Sequence, residues 1–272
     1  MVLKYQKIEK EQNQLSKSTH FQTPEGNAWK EISGFCFFNS LCVFVSTLKL
    51  IVSGSNEAIC SILMMFFCSL GFSQSFSNHY LQLKAQFEQE KNTPNEIIFL
   101  GNSITEGGDF KSLFPNKNIV NRGISGDVIE GILYRLKEVT DSKPNQLYLM
   151  IGTNDLARGK SVDYVVSGIY EIINRIKKST PSTEIYLQSI LPINPNVGTK
   201  FSGHKSKQNE ICSINDQLKN MSKQLNVRYA NLHKKMRNTR GFLKEKYTHD
   251  GLHLKEMGYL KWKKSIYRFI YN

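Results

Sequence analysis

Ile97-Ile98-Phe99-Leu100-Gly101-Asn102-Ser103-Ile104-Thr105 is the stretch on which the fold turns. Consecutive apolar residues run into a glycine and a short polar segment. A continuous apolar run of this length suits a strand buried on both faces, as in a parallel sheet, better than an alternating half-exposed strand. A strand of that kind needs helices over both of its faces, and the flanking sequence supplies them. Asn78 to Lys91, with Tyr80, Leu81, Leu83 and Phe87, reads as a leading helix.

Further strands are expected at Asn118 to Asn121, Gln146 to Ile151, Glu184 to Ile190 and Val227 to Leu232. Helical patterns fill the gaps. Asp127-x-x-Glu130 resembles a capping box with Asp127 at the cap, ahead of Ile129, Ile132, Leu133, Leu136 and Val139. Val162, Val165, Val166, Ile169, Ile172, Ile173 and Ile176 form another apolar face, as do Ile211, Ile214, Leu218, Met221 and Leu225. A last helix is expected over Glu256 to Ile270. Strand and helix in regular alternation imply one α/β domain over residues 75–272, a three-layer α/β/α sandwich around a five-stranded, mainly parallel sheet.

The whole chain has 272 residues, of which 40% are apolar and 22% charged. That composition excludes a wholly disordered or collagen-like protein and a small scaffold dependent on disulfides. Of the five cysteines, Cys36, Cys42, Cys60 and Cys68 precede the α/β pattern and only Cys212 lies within it, so no disulfide framework can form there.

Residues 1–74 read as an N-terminal extension of different character. Phe35 to Val52 carries Lys49 as its one charge, and Ala58 to Phe72 carries none. The first run barely reaches the length of a membrane span. The second suits the apolar region of a signal peptide, with Gly71-Phe72-Ser73 as a small-x-small cleavage pattern. Glu57 stands where the positive region that precedes such an apolar stretch should be. Three readings stand open: a signal peptide behind a start placed too early, a membrane hairpin or anchor, and a buried helical extension. The first two place the domain outside the cytoplasm, exported or anchored through this segment.

In an open α/β sheet, ligands bind beyond the carboxyl ends of the strands, where strand order reverses. Ser103 follows the first strand, Asn121 to Asp127 the second, and Gly152-Thr153-Asn154-Asp155 the third. Thr248-His249-Asp250-Gly251-Leu252-His253 precedes the last helix. Each has an ordinary structural reading: a serine caps a helix, a glycine frees a turn, an asparagine makes a turn, and Asp-x-x-His is surface polarity or a metal ligand pair. Their conjunction at one sheet edge supplies nucleophile, oxyanion donors, base and base-orienter together.

These blocks resemble those of the SGNH hydrolases, the GDSL lipase/esterase superfamily. The match is Gly-Asn-Ser-Ile at Gly101 to Ile104, Gly123, Gly-Thr-Asn-Asp at Gly152 to Asp155, and Asp-Gly-Leu-His at Asp250 to His253. Asn102 departs from the usual Gly-Asp-Ser but keeps the shape and hydrogen-bonding capacity. The block is not Gly-x-Ser-x-Gly, which sets the chain apart from the other large serine-esterase fold. The resemblance implies a flavodoxin-like sandwich and a serine esterase with Ser103 as nucleophile, His253 as base and Asp250 as orienter. It also implies an oxyanion hole from the backbone of Ser103, the backbone of Gly123 and the amide of Asn154, with no metal or organic cofactor.

Within the superfamily the pattern resembles bacterial acylhydrolases of the platelet-activating-factor-acetylhydrolase type and relatives that remove O-acetyl groups from sugars. The expected substrate is therefore a short-chain ester on a carbohydrate. Alternatives are a lysophospholipid or thioester, and a non-catalytic glycan-binding module. His249 reads as loop polarity, and His20, His79, His204 and His233 have no partner at recognisable spacing. Asp155 reads as a cap or brace. Arg122 and Arg158 flank the site as surface charges or substrate contacts.

Charge adds one clue. Residues 75–199 balance 13 basic against 13 acidic, whereas 200–272 hold 17 basic and 5 acidic. This is either a field for an anionic substrate or membrane surface, or a solvated basic face on two helices. No nucleic-acid module is visible, so nucleic acid is not an expected partner. Asn194 to Gln208, rich in Asn, Gly, Lys and Ser, is a loop placed to shape the pocket.

Overall fold

The computed structural model describes residues 76–271. The expected domain boundary at residue 75 and the apolar segments before it lie outside the described residues.

Five strands form one sheet in the order β2-β1-β3-β4-β5. They are β1 (Ile97–Gly101), β2 (Ile119–Gly123), β3 (Gln146–Met150), β4 (Glu184–Gln188) and β5 (Arg228–Ala230). Every pairing is parallel. The expected strands are all present, so the three-layer reading holds. The fifth is shorter than expected because Asn231 accepts the amide of Lys234 and starts a helix at Leu232.

β1 and β3 are buried at every position, as the unbroken apolar runs required. On one face Phe99, Tyr148 and Tyr186 are register partners on adjacent strands and stack with ring centroids 4.9 and 4.5 Å apart. This row is covered by Phe110, from the short helix α3 (Phe110–Leu113), and by Trp262, from the last helix α10 (Glu256–Tyr271). Trp262 is fully buried and donates its indole N–H to Gln188 Oε1 at 2.8 Å.

Residues alternating with the aromatic row, such as Leu100 and Leu149, point to the other face. The crossover helices α4 (Ile129–Asp141), α6 (Val162–Ser179) and α8 (Gln208–Gln224) follow β2, β3 and β4 and pack on one another in that order. Each presents the apolar stripe read from its sequence. The leading helix α1 (Asn78–Gln89) packs against α4. Short helices α2 (Ser103–Glu106), α5 (Thr153–Ala157), α7 (Ser202–Lys205) and α9 (Leu232–Met236) sit in the connections.

β1 lies between β2 and β3, so the chain leaves β1 in one direction and later crosses to its other side. That is the point where strand order reverses. Gly101 pairs with both Gly123 and Met150, so the loops after β1, β2 and β3 emerge side by side.

Candidate active site

Ser103 is the first residue of α2. Its predecessor Asn102 is buried, and the Asn102 side chain accepts the Ile104 amide at 3.1 Å. Asn102 thus caps the helix and fixes the turn that presents the serine. Ser103 itself is partly exposed.

The base arrives from the segment before α10. Thr248 Oγ1 donates to the His253 carbonyl at 2.7 Å and accepts the Gly251 amide at 2.9 Å, closing a tight turn. Within it, Asp250 Oδ1 accepts the amides of Leu252 and His253 at 2.9 and 2.8 Å. The free carboxylate oxygen, Oδ2, then accepts from His253 Nδ1 at 2.8 Å. With that nitrogen protonated, Nε2 is an acceptor, and Ser103 Oγ lies 3.0 Å from it. Burial pushes the Asp250 carboxyl up, but the two amides and His253 outweigh it and hold it below the ordinary carboxylate range. His249 approaches the same carboxylate, 3.5 Å from Oδ2, with most of its side chain in solvent.

Asn154 opens on the same edge, in α5. Its Nδ2 donates to the Asp127 carbonyl at 2.8 Å. Its Oδ1 lies 3.0 Å from His204 Nε2. His204 and Phe201 come from the long connection between β4 and α8, and the Phe201 ring stands edge-on to both His204 and His253. Ser103, Asp250, His253 and Asn154, named from sequence, are thus brought together. His204, judged from sequence to lack a partner, joins them.

Gly123 requires a correction. Its amide donates to the side chain of Asn121 at 2.9 Å and is already taken. Gly123 is also buried, and a Cβ there would lie 2.1 Å from the Glu106 backbone nitrogen. Its lack of a side chain lets β2 pass under α2. Gly126, further along the same loop, is exposed, has φ +80°, and its amide donates to no protein acceptor among the described residues. The Gly126 carbonyl accepts from Arg158 at 2.8 Å, and the preceding Ser125 amide is held by Glu106. Gly126 therefore offers the open backbone N–H beside Asn154 that Gly123 does not.

Under these loops lies a buried ionic network. Arg135, fully buried in α4, donates to Asp127 Oδ2 and Glu138 Oε1, each at 3.0 Å. It also donates to the carbonyls of Arg122 at 2.7 Å and Gly101 at 3.3 Å. One guanidinium thereby ties the ends of β1 and β2, from which the serine and the glycine loop depart. Arg122 is buried as well, paired with Glu138 at 3.0 Å and stacked on Phe87, so it faces the interior and not a substrate. The expected capping box is also corrected. Helix α4 begins at Ile129, Asp127 turns to Arg135, and Asp155 Oδ1 reaches over to accept the Ile129 amide at 3.1 Å. Asp155 is the brace expected of it, but for a neighbouring helix. Burial raises both Asp127 and Asp155 to about 6.

Part of the C-terminal basic excess gathers elsewhere. Lys235, Lys261, Lys264 and Arg268 line a cleft along α9 and α10 that none of the site residues borders.

A family model described as GDSL-like lipase/acylhydrolase matches residues 99–261, a stretch that contains Ser103, Asn154, Asp250 and His253. The chain belongs to that family. The platelet-activating factor acetylhydrolase IB subunit alpha2 of Rattus norvegicus is 26% identical over 187 residues, covering 66% of this chain and 78% of the relative. A solved structure described as a putative platelet activating factor from Streptococcus pneumonia is 26% identical, with a TM-score of 0.65 over 80% of this chain and 100% of its own. An acetyl xylan esterase shares the fold at 18% identity and a TM-score of 0.52, covering 64% of this chain and 99% of its own.

Proposed function

We propose that this family member is a serine esterase that removes short acyl groups, above all O-acetyl groups, from carbohydrates. The observation that carries the reading is the relay Ser103 Oγ to His253 Nε2 at 3.0 Å and His253 Nδ1 to Asp250 Oδ2 at 2.8 Å. A serine hydroxyl needs a base to become nucleophilic. His253 takes the proton as Ser103 Oγ attacks the acyl carbonyl. Asp250 fixes the tautomer that leaves Nε2 free and stabilises the imidazolium that forms.

Charge then develops on the carbonyl oxygen. The donors proposed for it are the Ser103 amide at the start of α2, the Gly126 amide, and the Asn154 Nδ2 hydrogen not given to Asp127. Loss of one such donor raises the barrier by about 3–4 kcal/mol. His253 returns its proton to the departing alcohol, and water, activated by the same base, releases the acid from Ser103.

The acetyl preference rests on the names of the similar proteins, an acetylhydrolase and an acetyl xylan esterase. The second reading is an acylhydrolase of the same mechanism acting on a lysophospholipid or thioester, which rests on the likeness to a platelet-activating factor acetylhydrolase. Export through the apolar segments before Ser75 is proposed from the sequence alone, and N-terminal sequencing of the mature protein tests it.

The test of function is hydrolysis of p-nitrophenyl acetate, butyrate and octanoate, and of acetylated xylo-oligosaccharide, by the full chain and its Ser103→Ala variant. Serine-dependent release of acetate from the sugar is expected. Preference for octanoate moves the assignment to the second reading, and turnover that survives Ser103→Ala overturns both.

A further inference from the structure

Asn154 can serve an oxyanion only if its amide faces the right way, and two partners decide that. The Asp127 carbonyl can only accept, so the atom 2.8 Å from it is the NH2 group of Asn154. The other end, Oδ1, can only accept as well, so the His204 nitrogen 3.0 Å from it must carry a hydrogen. With Oδ1 held by His204 and one Nδ2 hydrogen held by Asp127, the second Nδ2 hydrogen is left for the substrate.

His204 does not reach this place by chance packing. It rides on residues 194–207, whose first residue is bonded to the base-bearing turn and whose middle lies against it. The Asn194 amide donates to the Gly251 carbonyl at 2.8 Å, and the Asn194 side chain donates to the Leu243 carbonyl at 2.7 Å. Lys205 donates to the carbonyls of Val197 and Gly198 at 2.7 and 2.6 Å, closing the segment on itself. Gly198 lies against the backbone of Asp250, with φ +67°.

Phe201 is held at φ +62°, a left-handed conformation that a bulky side chain rarely adopts. That strain places its ring 4.9 Å from the His253 ring and 5.8 Å from the His204 ring. Burial, then His253 and Arg158, lowers the pKa of His204 against the pull of Asp250, which favours a neutral ring.

We propose that His204 is a positioning residue for the oxyanion donor Asn154, carried on an arm, residues 194–207, that locks the donor and the base into one register. The inference rests on the esterase reading above. Nothing in the family blocks marks His204. Its link to Asn154 spans 50 positions and exists only in the folded chain.

The experiment compares full-length wild type with His204→Ala, His204→Phe and His204→Gln. Two readouts are used: steady-state hydrolysis of p-nitrophenyl acetate, and the rate at which an alkyl fluorophosphonate labels Ser103. Alanine and phenylalanine remove the donor, and phenylalanine keeps the ring volume, so both should lower kcat about 10–100-fold, with KM changed less than about 3-fold. Labelling, which also passes through a charged oxygen, should slow in parallel. Glutamine offers an N–H to the same oxygen and should recover most of the rate. Melting temperatures distinguish this from unfolding, and if alanine fails to fold, the phenylalanine and glutamine pair decides alone. Labelling of wild type with equal rates in every variant overturns the positioning role and leaves the esterase intact. No labelling of wild-type Ser103 overturns the esterase reading and this inference with it.

Discussion

The two halves of the site are held by different physics. Ser103, the loop through Gly126, and Asn154 stand on the ends of β1, β2 and β3, over the buried Arg135 network. His253, Asp250 and Phe201 stand on irregular segments and His204 on the one-turn helix α7, fastened by turn hydrogen bonds and by one strained backbone angle. The first half is fixed by the core, so damage to the buried groups that support it should appear as lost stability. The second half is fixed by local bonds among partly exposed groups, so damage to it should appear as lost rate. A buried ion pair broken on one side is strongly destabilising because it strands a charge, whereas surface turns open at little global expense.

The sharpest break of this contrast is His253→Ala. It should cut kcat by about 10⁴–10⁶ while leaving the melting temperature near that of wild type. Kinetics beside a thermal melt checks it, and a large fall in melting temperature would make His253 part of the core-borne half. Next is Arg135→Met, which strands Asp127, leaves Glu138 with Arg122 as its one remaining cation, and frees the carbonyls of Gly101 and Arg122. Chemical denaturation should show a loss of about 3–5 kcal/mol. Full stability in that variant would show that the network is not what fixes the strand ends.

Gly123→Ala and Gly126→Ala separate the two glycines. The first drives a Cβ into the Glu106 backbone and should destabilise by about 1–3 kcal/mol. At the second, a Cβ meets nothing nearer than Arg158 at 3.8 Å, but φ +80° is strained. That change should therefore lower kcat more than stability. The reverse pattern would return the oxyanion role to Gly123.

The smallest effect is in the pH dependence of stability. Asp127 and Asp155 have folded pKa values of about 6, above their ordinary value, because burial penalises the charge. The folded state therefore binds more protons than the unfolded one between about pH 4 and 6, and stability from these groups falls as pH rises through that window. Asp250 shifts the other way, so its contribution is lost at lower pH, as the carboxyl becomes protonated below the ordinary carboxylate range. Asp155→Asn should flatten the upper window and leave the lower one intact, as read from melting temperatures across pH. An unchanged upper window would assign it to Asp127 alone.

Much of this was legible beforehand because it is local. Apolar runs such as Ile97 to Leu100 announce a doubly buried strand, and Asp250 to His253 is a single turn whose two side chains meet by spacing alone. What escaped was long-range. Arg135 sits on the apolar stripe of α4 between Ile132 and Leu136, where a charge is out of place, but its partners, the carbonyls at the ends of β1 and β2, are fixed only by the fold. Asp155 and Ile129 are 26 positions apart, and their bond displaced the capping box that Asp127 and Glu130 suggested. Gly123 and Gly126 share one loop, and only the taken amide of the former separates their roles.

Trp262 gives the molecule an optical reporter of its own. Its indole lies in a buried aromatic layer against Phe99 and Phe110, on the helix that begins three residues after His253. Among the residues of the chain the only other tryptophan is Trp29, so a Trp29→Phe background leaves one emitter. Its fluorescence then registers whether α10 is seated, and any ligand that reseats the helix with its preceding turn can be titrated in real time, without a chromogenic ester.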